Sequence, residues 1–386
     1  MNFELNDEQR QIYEYGGQLA KKFSHEQWLE HARRHEFPHE MFNQIAEDGF
    51  LGLMVPEEYG GAGLGMMEMM LFMEGTANHG IPLLMIIVGP CMSLAHLANH
   101  GTQFHKKELL PAACRGEIQF CFAITEPGAG SNSMKISTIA KQKGNRFSLS
   151  GEKTFITGAD VSDYCLVVAR TTPLEEVEHK TDGFTLFAVD LKAKGVELQR
   201  VNIAIPLPEE QFTLFFDEVD LGPENVVGEI GKGFSILFGS LNPERIMVGA
   251  LCTGLGRFAL SKAVDYANER NVFGQPIGAH QGVQHPLARA HINIETASLM
   301  TRRAAWEYDN GLPAAASSNM AKHAASEAGI EAVEAALQTH GGSGFTEDTG
   351  IYELYPMMRL LRTAPVNREL CLSFIGDKVM GLPRSY

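Results

Sequence analysis

The spacing of apolar residues predicts helices over the first part of the chain, to about residue 117. Ile12, Tyr15 and Leu19 recur at intervals of three and four, which is the period of an amphipathic helix. Asn6 precedes two acidic residues and this apolar stripe, as a typical N-cap does. The glycine-rich run at 60–65 follows no clear strand and is not a dinucleotide fingerprint, so we interpret it as a loop.

The pattern changes between about Gln119 and Val227. Short strings rich in β-branched and aromatic residues alternate there with turn residues, which predicts strands. The strings are 120–124, 146–149, 164–168 and 184–189. No long helical segments separate them, which argues against a parallel nucleotide-binding sheet and favours a small antiparallel barrel.

Helical spacing returns from about Lys232 to the end of the chain. The stretch from Ala314 to Leu337 is rich in alanine, the strongest helix former, and the glycines at 341–344 are predicted to end that helix. The order of patterns predicts an α+β fold with three domains. They are an N-terminal helical domain at 1–118, a central β-barrel domain at 119–231 and a C-terminal helical domain at 232–386.

Charge and cysteine content narrow the class of protein. The net charge of −15 leaves no broad positive surface for a nucleic-acid backbone, and it disfavours non-specific attraction to membranes. Six scattered cysteines without a C-x-x-C pair suggest neither a disulfide framework nor a zinc cluster. The acidic start is unlike a signal peptide, and the longest apolar run, 81–92, is too short to span a bilayer. We expect a soluble, cytoplasmic protein.

Two strings in the β region have the residue types that a flat cofactor needs. Residues 124–131 (ITEPGAGS) form a strand that enters a glycine-assisted turn, whose backbone N–H groups suit an anion or a ring edge. An ordinary hairpin turn explains the same residues equally well. In 151–158 (GEKTFITG), alternation points Phe155 and Thr157 to one face. Taken alone, core packing of Phe155 is the simpler explanation.

Four strings together resemble the acyl-CoA dehydrogenase family. They are 125–131 (TEPGAGS), 153–157 (KTFIT), 270–274 (RNVFG) and 338–342 (QTHGG), in the family's order and over nearly the whole chain. The resemblance implies two helical domains that flank a β-barrel, with FAD as the cofactor. It also implies a homotetramer, arranged as a dimer of dimers, that passes electrons to an electron-transfer flavoprotein.

The resemblance also implies roles for individual residues. Those expected to contact the flavin side of FAD are Phe122, Thr125, Phe155 and Thr157. Those expected to contact the FAD of the neighbouring subunit, or its adenosine side, are Arg270, Phe273, Gln281, Gln338, Gly341 and Gly342. Asn367 is a further expected FAD contact, and Ser131 an expected contact to the acyl-CoA thioester arm. Arginine suits a pyrophosphate, and paired glycines allow close backbone approach.

The catalytic base does not stand where most of the family has it. Counting from Gly342 places Pro365 at the usual glutamate position, and proline also lacks the N–H that helps polarise the thioester there. A subset resembling isovaleryl-CoA and long-chain acyl-CoA dehydrogenases has the base in a Leu-x-x-Glu-Arg string. Residues 241–245 (LNPER) match it, which makes Glu244 the expected base, in a helix with Pro243 in its first turn. Arg245 is an expected substrate contact, and Glu369 is the other candidate base.

The expected reaction is conversion of a saturated acyl-CoA to the trans-2-enoyl-CoA. A carboxylate desolvated by the acyl chain removes the α-proton while a hydride leaves for the flavin. Two alternatives are a flavin oxidase or monooxygenase on the same scaffold, which Pro365 motivates, and a non-catalytic FAD- or acyl-CoA-binding protein. His31, His35 and His39 share a helical spacing, but Pro38 interrupts it and no fourth ligand is evident, so no metal is expected.

Overall fold

The computed structural model describes residues 4–384, apart from the side chains of 238–240. Two helical parts precede and follow a sheet part along the chain. The helices are α1 (Asp7–Lys22), α2 (His25–Arg34), α3 (His39–Glu47), α4 (Met66–Ala77), α5 (Leu84–Ile86), α6 (Ala95–His100), α7 (Leu110–Cys114), α8 (Gly233–Glu269), α9 (Gln281–Asp309), α10 (Ala315–His340), α11 (Ile351–Thr363) and α12 (Arg368–Phe374). A π-helical segment, Ile87–Leu94, joins α5 to α6.

The strands belong to one large sheet and one small hairpin. They are β1 (Phe120–Ala123), β2 (Ile139–Lys143), β3 (Arg146–Thr157), β4 (Tyr164–Arg170), β5 (Phe184–Asp190), β6 (Val196–Val201), β7 (Gln211–Leu221), β8 (Val226–Val227), β9 (Asn271–Val272) and β10 (Gln275–Pro276). The predicted mixed α+β class, with a sheet between helical parts, is confirmed.

The predicted first helix forms as its sequence indicates. The Asn6 side chain accepts a hydrogen bond from Gln9 N at 2.8 Å, and the Gln9 side chain accepts one from Asn6 N at 3.3 Å, so both hydrogen bonds of a capping box are present. Ile12, Tyr15 and Leu19 are buried on one face of α1. The period of apolar residues therefore predicted both the helix and its inner face.

The eight-stranded sheet runs in the order β6-β7-β3-β2-β4-β5-β8, with β1 added beside β4. Its inner residues form one apolar core that includes Leu149, Phe187 and Leu214. Most pairs are antiparallel, as expected, but β1 is parallel to β4, with Phe120 opposite Tyr164. β2 is also parallel to β4, with Ile139 opposite Arg170. A wholly antiparallel sheet was the wrong expectation for these pairs because other strands lie between their members along the chain, so no hairpin sets their direction.

Two long helices dominate the C-terminal part. The predicted alanine-rich helix is α10, and Gly341, with φ of 55°, follows its last residue as predicted. The expectation for Pro243 was wrong, because α8 begins at Gly233 and Pro243 lies inside it. α8 is long and apolar enough to cross a membrane by length and composition alone, but 78% of its most apolar window is buried, as in a core helix.

The chain divides into two compact units. One comprises residues 34–65 and 84–241 and contains the whole eight-stranded sheet. The other comprises residues 4–33, 66–83 and 242–384 and contains α1, α4 and α9 to α12. The boundary between 241 and 242 falls inside α8, so Glu244 and Arg245 belong to the second unit.

Candidate active site

In the sheet unit, the two strings singled out in the sequence lie side by side. Thr154 N donates to Thr125 O at 2.9 Å. The Lys153 Nζ donates to Glu126 Oε1 at 2.9 Å and to Ile124 O at 3.0 Å, and both charged side chains are buried. This buried ion pair connects residues 124–126, which follow β1, to β3.

Glu126 also organises the turn that follows it. Its carboxylate accepts hydrogen bonds from Ser137 N at 2.6 Å and Thr138 N at 3.0 Å. Burial favours the neutral acid, but the Lys153 ammonium and these donors outweigh it and hold the pKa of Glu126 below its usual range. Sequence analysis assigned no role to Glu126 or Lys153, although both stand inside the recognised strings.

Phe155 is held in an exposed and unusual conformation. Its side chain is 60% exposed, so core packing was the wrong explanation for this aromatic residue. Its φ is 58°, which L-residues rarely adopt, and the β3–β7 register shifts between Lys153 and Ile156. Such a bulge re-aims a side chain, and strain of this kind is typical of binding sites.

The other expected flavin contacts of the sheet unit are close in the fold. Thr157, at the end of β3, exchanges side-chain hydrogen bonds with Gln211 at 3.0 to 3.1 Å. Phe122 is the third residue of β1 and is buried, while Ser131 is exposed beyond the Glu126–Ala129 turn. The backbone bond between Thr125 and Thr154 brings the two strings into one surface.

In the helical unit, Phe273 stands at the tip of a hairpin between β9 and β10. Phe273 and Gly274 have φ of 54° and 83°, a two-residue turn with positive φ at both positions. The Phe273 side chain is 93% exposed. Arg270, just before the hairpin, and Gln281, the first residue of α9, are also exposed.

A ring stack brings this hairpin next to the end of α10. Tyr266, near the end of α8, stacks on His340, the last residue of α10, with ring centroids 4.4 Å apart. Gln338, Gly341 and Gly342 are exposed there, and a Cβ added to either glycine would meet nothing within 4 Å. The stack therefore joins the end of α8, just before the 270–274 string, to the end of α10.

The expected base, Glu244, is a buried carboxyl group. Its side chain is 5% exposed, and within the part of the chain that the structure describes its Oε2 has no hydrogen-bond partner. Burial raises the pKa of Glu244 to about 7, although Arg245 and Lys322 act to lower it. A carboxyl group that ionises near neutral pH can accept a proton from a substrate.

Arg245 is held next to this carboxyl group. It donates to Asn242 Oδ1 at 3.4 Å, and its Nε has no partner among residues 4–384. Burial lowers the pKa of Arg245, opposed by Glu244 and Cys371. A guanidinium with a free donor is available to an oxygen acceptor of a ligand.

The segment with Pro365 offers no comparable base. Glu369 is exposed and ion-paired with Arg368 at 2.9 Å. A backbone hydrogen bond at its own N–H and the Arg368 guanidinium lower the pKa of Glu369. Asn367 caps α12 by accepting from Leu370 N at 2.8 Å. Pro365 is exposed, in a cis peptide bond with Ala364.

The donor set fits a flavin dinucleotide. Exposed aromatic rings at strained positions, threonine hydroxyls beside a rigid turn, an exposed arginine and glycines with open space around them are the groups that such a ligand needs. In contrast, the described residues contain no group of three His, Cys, Asp or Glu side chains placed to hold a metal ion.

Comparison with known proteins identifies the family. Profiles of the acyl-CoA dehydrogenase N-terminal, middle and C-terminal domains match residues 6–117, 121–219 and 231–379. The chain is 42% identical to acyl-CoA dehydrogenase FadE12 of Mycobacterium tuberculosis over 100% of this chain and 99% of FadE12. It is 32% identical to the CarC subunit of the caffeyl-CoA reductase–Etf complex of Acetobacterium woodii, over 83% and 84% of the two chains.

Solved structures agree with this relationship. The glutaryl-coenzyme A dehydrogenase–glutaryl-CoA complex superposes with a TM-score of 0.93 and 28% identity, over 100% of this chain and 98% of that one. Fold and site together define a flavin-dependent oxidoreductase. The chain belongs to the acyl-CoA dehydrogenase family.

Proposed function

We propose that the protein binds FAD and desaturates an acyl-CoA thioester to the trans-2-enoyl-CoA, with Glu244 as the catalytic base. The observation that carries this proposal is the state of Glu244, a buried carboxyl group with an unpartnered oxygen and a pKa of about 7. A structural carboxylate in such a place is normally ion-paired or hydrogen-bonded. Glu369, exposed and paired, has neither property.

The proton step follows from this environment. Near neutral pH Glu244 is partly ionised, and its free oxygen accepts the α-proton of the thioester. An acyl chain that covers the carboxylate removes the remaining water and strengthens its basicity. Arg245 contacts the substrate from the next position of α8 and keeps a positive charge beside the base. FAD, when bound, supplies the acceptor for the hydride that leaves the β-carbon.

We propose the same two groups of cofactor contacts that the sequence predicts, one for the flavin side and one for the FAD of the neighbouring subunit or its adenosine side. Phe122, Thr125, Phe155 and Thr157 hold the flavin side, supported by the exposed ring of Phe155 and the rigid turn at Glu126. The contacts to the FAD of the neighbouring subunit or its adenosine side are Arg270, Phe273, Gln281, Gln338, Gly341 and Gly342, with Asn367 as a further contact. Ser131 contacts the thioester arm. The three-domain division at 118/119 and 231/232 stays part of this proposal.

A homotetramer is supported by an apolar stripe on α9. Ile292, Leu299 and Trp306 are spaced by seven residues and are each at least half exposed. Seven residues are two helical turns, so the three side chains lie along one face, and such a row favours contact with another helix. We propose a second copy as that partner, consistent with a hairpin tip at Phe273 that contacts a neighbouring subunit's cofactor.

An electron-transfer flavoprotein is the proposed electron acceptor. The name of the relative CarC describes it as a subunit of a complex that contains Etf, an electron-transfer flavoprotein. The proposed direction for this chain is dehydrogenation, and the cytoplasmic location expected from the sequence remains a prediction.

The test is anaerobic flavin absorbance during addition of a panel of saturated acyl-CoAs. The wild-type flavin is expected to bleach with one class of acyl chain. Glu244→Gln is expected to retain FAD and to slow bleaching at least about a hundredfold, the scale of general acid–base catalysis. The matched control, Glu369→Gln, is expected to bleach at the wild-type rate.

Three results would contradict the proposal in different ways. Bleaching of Glu244→Gln at the wild-type rate would exclude this base. Purified protein without flavin would remove the cofactor assignment. Bound flavin that no thioester bleaches, with oxygen consumption in air, would favour an oxidase or monooxygenase.

A further inference from the structure

One lysine is fully buried among the C-terminal helices. Lys322 has 0% of its surface exposed and lies in α10, a helix whose buried face consists mostly of small residues. Its Nζ donates to Arg362 O at 3.1 Å. An ammonium group is unfavourable in such a place unless it has partners, so this lysine requires an explanation that core packing does not provide.

Close contacts between α8 and α10 place Lys322 and Glu244 on neighbouring helices. A Cβ added to Gly329 would lie 3.2 Å from Cys252 O, and one added to Gly256 would lie 3.5 Å from Ala332 Cβ. The second contact has a higher residue number than the first on both helices, so α8 and α10 run in the same direction. Glu244 lies eight residues before Cys252 and Lys322 lies seven before Gly329, so both stand about two turns before the same contact.

Burial lowers the pKa of Lys322, and four ionisable groups act on its charge: Cys371 from α12 and Cys252, Glu244 and Arg245 from α8. Glu244 is the carboxyl group among these four. For Glu244, the two cations that act on it are Arg245 and Lys322. Among these groups Glu244 is the only acid that ionises near neutral pH, so it is the natural counter-ion of the Lys322 ammonium.

Lys322 also anchors the segment that replaces the family's usual base. Arg362 is the penultimate residue of α11, directly before the segment that contains Pro365. α10 holds Arg362 twice, because Lys322 Nζ binds its carbonyl oxygen and Glu327 Oε1 binds its guanidinium at 2.7 Å. One helix therefore faces the base on α8 and holds the end of α11.

We propose that Lys322 is a positioning residue for the reaction: its ammonium orients the Glu244 carboxylate and fixes the end of α11. The inference deepens the proposed function, since it rests on Glu244 as the base. It differs from a purely structural role because it requires the charge of Lys322 as well as its hydrogen bond.

The test measures, in the FAD-loaded enzyme, how the rate of flavin reduction by a saturated acyl-CoA depends on pH. The midpoint of the acid limb reports protonation of the base. Lys322→Met removes the charge and the anchor, Lys322→Gln keeps a donor for the Arg362 carbonyl but is neutral, and Lys322→Arg keeps both. Glu327→Gln is the matched control, because it removes the other contact to Arg362.

Neutral side chains at 322 are expected to raise the midpoint by about one pH unit or more, the effect of losing an opposite charge nearby. On the acid limb this is a rate about tenfold lower for each unit. Lys322→Arg and Glu327→Gln are expected to keep the wild-type midpoint. If Lys322→Met does not fold, Lys322→Gln provides the neutral variant.

An unchanged midpoint in the neutral variants would overturn the inference and leave Lys322 as a structural residue. A shift of the same size in Glu327→Gln would also overturn it, because the anchor alone would then account for the effect. Failure of the proposed function is distinguishable, since Glu244→Gln would then retain the wild-type rate and acid limb.

Discussion

Replacing Glu244 by glutamine is expected to stabilise the protein above neutral pH while slowing its reaction at least about a hundredfold. The side chain is 5% exposed and its Oε2 is unpartnered within residues 4–384, so the folded state carries the cost of a poorly solvated carboxylate. Glutamine has nearly the same shape and no charge. The variant therefore removes the ionisation cost without leaving a cavity.

The magnitude follows from the raised pKa. Burial moves the pKa of Glu244 from its ordinary 4.5 to about 7, and at about 1.4 kcal/mol per unit this corresponds to about 3 kcal/mol. Because the folded protein holds this proton more tightly than the unfolded chain, the cost is absent below about pH 4.5 and complete above about pH 7. The stability of the wild type thus falls as pH rises through this window. Glu244→Gln has no ionisable group at this position and therefore lacks this loss of stability.

The measurement is the thermal unfolding midpoint of FAD-saturated wild type and variant at about pH 5 and about pH 8. The advantage of Glu244→Gln is expected to be small at the lower pH and to reach several degrees at the higher one. Glu369→Gln, which alters an exposed carboxylate, is the control and is expected to show no such growth. An advantage equal at both pH values would refute the reasoning, because it would not come from ionisation.

Two further predictions concern the ion pair beneath the flavin strings and the stripe on α9. Lys153→Met is expected to destabilise the protein by about 3 to 5 kcal/mol, because Glu126 is left buried without its cation. Urea unfolding measures this loss of stability. The control is Arg146→Met, which removes a surface ion pair and is expected to change the unfolding midpoint little. Leu299→Glu is expected to reduce a tetramer to smaller species in light scattering, whereas Gln142→Glu on exposed β2 leaves it intact; an unchanged mass for Leu299→Glu would exclude α9 as the interface.

Local signals predicted α1, α10 and four strands because the forces that form these elements are local, whereas β2, β6 and β7 were not predicted. The capped start of α1, the alanine-rich α10 and the glycine at its end each depend on residues within a few positions. Local reasoning failed at Phe155. Its alternation with Thr157 assumed a regular strand, and the bulge on β3 arises from pairing with β7, a strand more than 50 residues later.

The candidate base also shows the difference between what the local sequence predicts and what tertiary packing decides. The string around Glu244 pointed to catalysis only through a family resemblance, and Pro243 was misplaced because the preceding residues also join the helix. That Glu244 is buried with a raised pKa depends on packing by α10 and its neighbours, which no local pattern contains. The same holds for Lys322, which only the folded structure shows to lie on the buried, mostly small-residue face of α10.

The sequence by itself determined the helical character of the first and last parts, four of the strands, the family, and which side chains are chemically able to act. Hydrophobic period, capping residues and glycine positions act over a few residues, so they can be read along the chain. The tertiary structure alone decided which side chains are exposed or buried, which charges meet, and hence which carboxyl groups, Glu244 and Glu209, titrate near neutral pH. Burial and electrostatic pairing are set by residues far apart in the chain, and for that reason only the folded protein specifies them.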